Sequence, residues 1–338
     1  MTSHASHKNS APGEVFEFFL RMKYIKRPLS ISQQVDKLEK RGLNIDDRES
    51  MTNYLSKISY YRLRAYTYPF QDNKNSEADH CFIRNDIHLS DIIHLYNFDK
   101  CLRGILFKAI EEVEVALRAK IIQVYSEYHS DSHWFLNKKL FNDKGVYRGK
   151  KGGVPKYNLL EEIRKETDRN NEDFIKHYRD KYGEPELPPA WMTLEVLSLG
   201  TLSKLYKLLF KSNLKEQISR DFGLPNSDIL TNWMHAFSVL RNYCAHHSRV
   251  WNRRFIIHII LPYNTTYPFM DKNIIIKTKD NKLFALLSCI KYALDVICPN
   301  NDLKRDFQFI LKNGGRLLKP KDMGFPNNWE SLPVWEDK

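Results

Sequence analysis

Apolar positions recur at three- and four-residue steps over most of this chain, so the sequence predicts helices rather than strands. The longest such run starts at Ser90. Ile93, Leu95, Phe98, Leu102, Ile105, Leu106, Ala109, Val113, Ala116, Leu117, Ile121 and Val124 follow helical spacing, with no Pro before Tyr128. This predicts one helix, or two nearly collinear ones, about 55 Å long. Gly104 is tolerable inside it. Upstream, Ser30 with Gln33 reads as a capping box for a short helix carrying Ile31, Val35 and Leu38 and stopping at Gly42. Asp46 with Glu49 reads as a second cap, for a helix carrying Met51, Tyr54, Leu55 and Ile58.

Helical spacing resumes at 159–170 and 172–182, after Pro188-Pro189, at 201–210 and 213–222, and from Asp228 onward. Further helices are expected at 282–297 and 302–312. The β-branched run R-R-F-I-I-H-I-I-L-P after Trp251 is read as a short strand or extended segment. The fold class is therefore all-α, mainly a helical bundle, with minor irregular or short β elements. Residues 1–24 read as a tail, 25–80 as an N-terminal helical extension, 81–313 as the main helical domain, and 314–338 as a strap carrying Trp329 and Trp335.

Composition changes this picture in one respect. The net charge of +12 favours a polyanionic partner, with nucleic acid first. Half of that charge lies in residues 138–156, where Lys138, Lys139, Lys144, Arg148, Lys150, Lys151 and Lys156 face one acid, Asp143. With four glycines, the segment reads as a flexible basic loop reaching for phosphates; a solvated linker is the competing reading. The odd set of five cysteines and the lack of an N-terminal apolar leader point to a reducing, cytoplasmic compartment. No apolar run approaches the ~20 residues of a membrane span. No cofactor and no metal are implied.

The densest chemistry lies between Trp233 and Trp251. On a helical wheel Phe237, Leu240 and Cys244 fall beside Trp233 as a core seam, and His235, Asn242, His246 and Arg249 fall opposite. Imidazoles that move protons near neutral pH, with guanidinium forks suited to phosphate oxygens, fit RNA cleavage by 2′-hydroxyl attack. The expected products are a 2′,3′-cyclic phosphate and a 5′-hydroxyl. Arg241 and His246 would point about 140° apart on one straight helix. Either a second copy in a homodimer or a helix end near Ala245 would bring such groups together.

A second stretch, Y-Y-R-L-R-A-Y-T-Y-P-F at 60–70, concentrates tyrosines around Arg62 and Arg64. Aromatic stripes at helical spacing usually form core, and that reading is preferred here. The competing reading is a cationic surface on which bases stack, with Arg62 and Arg64 as RNA contacts.

R-N-Y-C-A-H resembles the R-x4–6-H motif of the HEPN superfamily of helical RNases. Arg253 and His258 also fit that bare pattern, as a chance match inside the apolar run. The longer R-N-Y-C-A-H-H-S-R-V-W-N-R is similar to the C-terminal signature of the bacterial abortive-infection, Abi-like family of the AbiD/AbiF type. I-S-Y-Y-R-L-R-A-Y-T-Y-P-F, L-P-P-A-W-M-T-L-E-V-L-S-L-G-T-L and M-G-F-P-N-N-W agree, so the resemblance runs from about residue 25 to 335. Arg64-Ala65 departs from the small residue and Gly expected there.

The resemblance implies a HEPN-like helical fold and phage defence by RNA damage. It also implies association with a small non-coding RNA. It puts Arg241 and His246 in catalytic positions with Asn242 supporting, and His247 and Arg249 in auxiliary ones. The leading expectation is thus a metal-independent endoribonuclease, acting on RNA as a homodimer away from membranes. The alternative is a catalytically silent RNA-binding module. A metal site built on Cys244, His246 and His247 is disfavoured, because adjacent His residues point apart on a helix.

Overall fold

The computed structural model describes residues 25, 27–75, 79–147 and 157–336. The expected tail, the apolar stretch at 15–20 and residues 148–156 of the basic loop lie outside them.

Among the described residues the architecture is all-α. Three helices open it: α1 (Ile31–Lys40), α2 (Arg48–Ile58) and α3 (Tyr60–Thr67). The long α4 (Leu89–His129) follows, then a two-residue antiparallel pair, β1 (Val146–Tyr147) and β2 (Tyr157–Asn158). Next come α5 (Leu159–Asp168), α6 (Asp173–Lys181), α7 (Ala190–Thr193), α8 (Leu199–Leu208) and α9 (Asn213–Asp221). The chain then forms α10 (Ser227–Ala245), α11 (Lys272–Lys277), α12 (Leu283–Ile297) and α13 (Leu303–Lys312).

Local chemistry explains the boundaries. Ser30 and Gln33 form the reciprocal capping box of α1, and Gly42, at φ +94°, takes the left-handed turn that ends it. The cap of α2 is Asp47, one residue past the expected Asp46: its side chain accepts from the Ser50 N–H at 3.0 Å. Asp46 instead reaches the His88 ring at 3.0 Å.

The predicted long helix is a single element of 41 residues, about 60 Å long at 1.5 Å per residue. Its stripe from Leu89 to Tyr125 is buried because α3, α9, α10, α12 and α13 all pack on it. One hydrophobic core extends from Val35 to Trp335. The C-terminal residues join it through Trp335, whose Nε1 donates to Ser288 Oγ at 3.0 Å, and through Arg316, which grips Asp91 on α4.

The run after Trp251 forms no strand. Its amides go to scattered acceptors, Phe255 to Asn281 O, Ile259 to Asp280 O and Ile260 to Asn232 Oδ1, so no ladder builds. Ile256 is fully turned to solvent. Among the described residues no helix is long and apolar enough to cross a membrane.

Candidate functional site

The site is built on the end of α10. Asn226 caps its start, accepting from the Asp228 and Ile229 N–H groups at 3.1 Å each. Trp233, Phe237, Leu240 and Cys244 are buried, as the wheel requires. The helix stops after Ala245 in a two-bond C-terminal cap: the Ser248 N–H reaches Tyr243 O at 2.9 Å and the His247 N–H reaches Cys244 O at 3.0 Å. The left-handed position of such a cap usually holds Gly. Here it holds His247, at φ +54°. A side chain there costs about 1–2 kcal/mol. The strain is held from outside, because Arg62 Nη1 on α3 donates to His247 O at 2.6 Å.

The chain beyond the cap is anchored to α4. The Asp99 carboxylate, fully buried, accepts the Val250 N–H at 3.0 Å and the Trp251 N–H at 2.6 Å. It also accepts from Tyr66 Oη at 2.6 Å and from Arg103 Nη1. Burial pushes the Asp99 carboxyl up, against the pull of Tyr66, Arg103 and the two amides. The Trp251 ring packs nearly parallel to both Tyr66 and Phe70, with centroids 6.4 and 6.3 Å away. The Arg249 guanidinium covers the same ring at 5.8 Å and donates to Ala65 O. The α10 terminus, α3 and α4 are thereby locked together.

Between α3 and the capped turn lies a cleft of ≈ 560 Å³. Ser59, Tyr61, Arg62, Arg64, Ala65, Tyr66 and Tyr68 form one wall; His246, His247, Ser248, Arg249 and Arg253 form the other. Four arginines and two histidines therefore meet, with no carboxylate among the described residues of the lining. Tyr61 is 79% exposed and Tyr68 47%; the Arg64 guanidinium lies over one face of the Tyr68 ring at 5.7 Å. Leu63 and Tyr66 are core, as the preferred reading of 60–70 expects, whereas Tyr61, Arg62 and Tyr68 are exposed and Arg64 is half-buried, all four lining the cleft. Ser59 turns the chain into α3 at φ +59°. Two side-chain residues in the left-handed region, Ser59 and His247, thus face one another across the cleft.

The arginines are held yet not consumed. Arg64 Nη2 meets His80 Nε2 at 3.1 Å, and Arg253 Nε donates to Arg249 O at 2.6 Å while stacking on Tyr243. Each guanidinium has five N–H donors, so donors remain for a ligand. Arg249 lies beyond the helix, and the wheel that put it opposite Trp233 does not apply to it.

Arg241 is elsewhere. Its guanidinium lies over the Phe107 ring at 5.4 Å, in a separate groove with Glu111, Glu114, Arg118 and Glu195. The end of α10 turns His246 and His247 toward α3, and Arg241 keeps to the α4 side. Asn242 and His235 are exposed and line neither cleft.

A family model described as Abi-like protein matches residues 53–252, more than half of the chain. The chain belongs to the Abi-like protein family. That membership supports a role in abortive infection, a defence against phage. No curated protein and no solved structure matches. The Abi-like match starts inside α2 and ends at Asn252, so it spans both walls of the cleft except Arg253.

Of the basic loop, Arg148, Lys150, Lys151, Lys156 and the side chain of Lys144 lie outside the described residues. Lys138 and Lys139 are exposed and do not line the cleft. Cys244 is a packing residue, its thiol pushed up to about 12 by burial, which disfavours the thiolate a metal would need.

Sequence reasoning passed over Asp99 of this Abi-like chain, placed the 60–70 tyrosines in the core by preference and set Arg253 aside as a chance match. Asp99 had a signal: Asp99 and Arg103 form an i,i+4 pair of opposite charge inside an apolar stripe, the mark of a buried polar hub. The chance-match reading of Arg253 hid its place in the cleft.

Proposed function

We propose that this chain acts in phage defence as an endoribonuclease, with its reaction centre at His246 in the cleft between α3 and the end of α10. One observation carries the reading. Two stretches far apart in sequence, each dense in Arg with Tyr or His, line a single cleft with no carboxylate among its described residues. A phosphodiester fits its charge, and single-stranded bases fit the exposed Tyr61 and Tyr68 rings. His246 is exposed, and among the described residues no hydrogen bond engages its ring. In the proposed reaction it takes the proton from a ribose 2′-hydroxyl as that oxygen attacks phosphorus. The bond to the 5′ oxygen breaks, and His247 returns a proton to the leaving oxygen. The cleft arginines carry the charge on the pentacoordinate phosphate. The products are a 2′,3′-cyclic phosphate and a 5′-hydroxyl, which needs no metal.

The second reading is an RNA-binding module that does not cut, one able to hold a structured non-coding RNA. The position of Arg241 favours it: the motif arginine stacks on Phe107 in another groove, so one chain does not bring Arg241 and His246 together.

Labelled RNA incubated with the protein, with and without EDTA, separates the two. Cleavage that survives EDTA and disappears in His246→Ala supports the nuclease. Tight, salt-sensitive binding without cleavage supports the module, and cleavage lost with EDTA would sink the metal-free chemistry.

A further inference from the structure

On the far side of the turn from Arg249 to Arg254 lies a second concavity, of ≈ 470 Å³. Arg253 faces the histidine cleft, and its neighbour Arg254 faces this pocket. Arg254, Lys277, Lys279, Lys282 and Lys321 line it against one carboxylate, that of Asp322. Among the described residues none of the five cations makes an ion pair. Like charges gathered without partners repel, and their arrangement suits an anion.

The floor of the pocket makes the same point independently. Lys282 is only 9% exposed. Its Nζ donates to two neutral oxygens, Asn252 Oδ1 at 3.3 Å and Asp322 O at 2.8 Å. The Asp322 carboxylate of the same pocket makes no ion pair with it, so this largely buried ammonium is incompletely compensated. Burial, with Arg254 and Lys279 nearby, pulls its pKa down, although Asp322 opposes the shift. The cradle is shaped around this lysine. Gly324 sits at φ +92°, and a Cβ there would come within 2.8 Å of Lys282 Cβ, so only Gly lets the C-terminal segment close over the lysine.

We infer that this pocket seats a backbone phosphate of the same RNA strand that occupies the histidine cleft, several nucleotides along from the phosphodiester held there, the strand crossing the Arg253–Arg254 turn. The inference rests on the reading of the cleft as an RNA site. It assigns Arg254, Lys277, Lys279, Lys282 and Lys321 a role in strand length and path rather than in chemistry.

The experiment compares two single-stranded RNAs, one of about 4 nucleotides and one of about 16. The variant is the triple substitution Lys277→Glu, Lys279→Glu and Lys321→Glu, whose side chains are on the surface. A Lys→Arg triple serves as the charge-keeping control. The short RNA is expected to bind wild type and variant alike. The long RNA is expected to bind the Glu variant at least tenfold more weakly, with the log–log salt slope reduced by about 0.7 per lost phosphate contact, and to recover in the Arg triple. Wild-type affinity and slope for the long RNA in the Glu variant overturn the inference, even with the cleft reading intact. So does equal weakening of both RNAs, which marks a diffuse field and not a seat. If wild type binds neither RNA, the cleft reading itself has failed and takes the inference with it.

Discussion

Asp99 accepts the backbone N–H of Trp251 at 2.6 Å across 152 positions of sequence. With the Val250 amide on the same oxygen, this side chain caps a turn that would otherwise leave two buried N–H groups unpaired. Asp99→Ala is therefore expected to destabilise the protein by about 3–5 kcal/mol, since it strands Arg103 as well. Replacing the pair by Leu and Met removes the stranded charge but not the orphaned amides, so that double variant stays destabilised. Urea unfolding of the three proteins checks this; full recovery in the double variant would show that only the charge mattered.

His247→Gly should pull stability and activity in opposite directions. Gly relieves the left-handed strain, about 1 kcal/mol, which for a chain of this size raises Tm by about 2 °C. RNA cleavage should fall, because an imidazole leaves the cleft. His246→Gly, at an ordinary φ of −86°, should show no such gain. A lower Tm for His247→Gly would mean that the ring itself holds the turn.

Tyr61→Ala and Tyr68→Ala should each weaken binding of single-stranded RNA by about 1–3 kcal/mol, with little change in the salt slope. Arg62→Ala should instead reduce the slope. Fluorescence anisotropy at several salt concentrations separates the two classes. Equal slopes in all three variants would remove the distinction between stacking and phosphate contact.

Mixing Arg241→Ala with His246→Ala tests where Arg241 acts. If a second copy supplies Arg241 to the cleft, the mixed dimer contains one intact site and cleavage partly returns. If Arg241 only anchors α10 against α4 through Phe107, mixing restores nothing, and Arg241→Ala alone lowers Tm more than it lowers cleavage.

Acid should loosen the C-terminal segment first. Arg84 and Arg316 hold the Asp86 carboxyl down to about 2. Burial opposes the shift of Asp91, but Arg316 still keeps it below its ordinary value. Carboxylates with lowered values contribute stability above the ordinary carboxylate range, and lose it as pH falls toward the folded value. Tm should therefore drop between about pH 4 and pH 2, and Arg316→Ala should flatten that limb. An unchanged limb would show that other carboxylates govern acid unfolding.

Much of the helical frame was legible because its signals are local. The α4 stripe, the Ser30–Gln33 box and the seam from Trp233 to Cys244 need only spacing and a cap. The cleft was legible only in halves. Its walls lie some 185 positions apart at Arg62 and His247, and nothing local says that they meet. The residue that joins them, Asp99, hides as a charge within an apolar stripe. The helix end near Ala245 was one of two possibilities the sequence left open, because His247 takes the position where Gly would have announced it. After Trp251, of the two readings offered, strand or extended segment, the strand does not form: β-branched residues favour extended backbone, but a strand also needs a partner ladder.

The unbroken course of α4 ties the spacing of the two clefts to a residue count. Asp99, beneath the histidines, and Glu114, beside Arg241, stand fifteen residues apart on one rod, about 22 Å. One inserted residue would turn one site by about 100° relative to the other. Insertions and deletions between these positions should thus impair function even where every contacting side chain is kept.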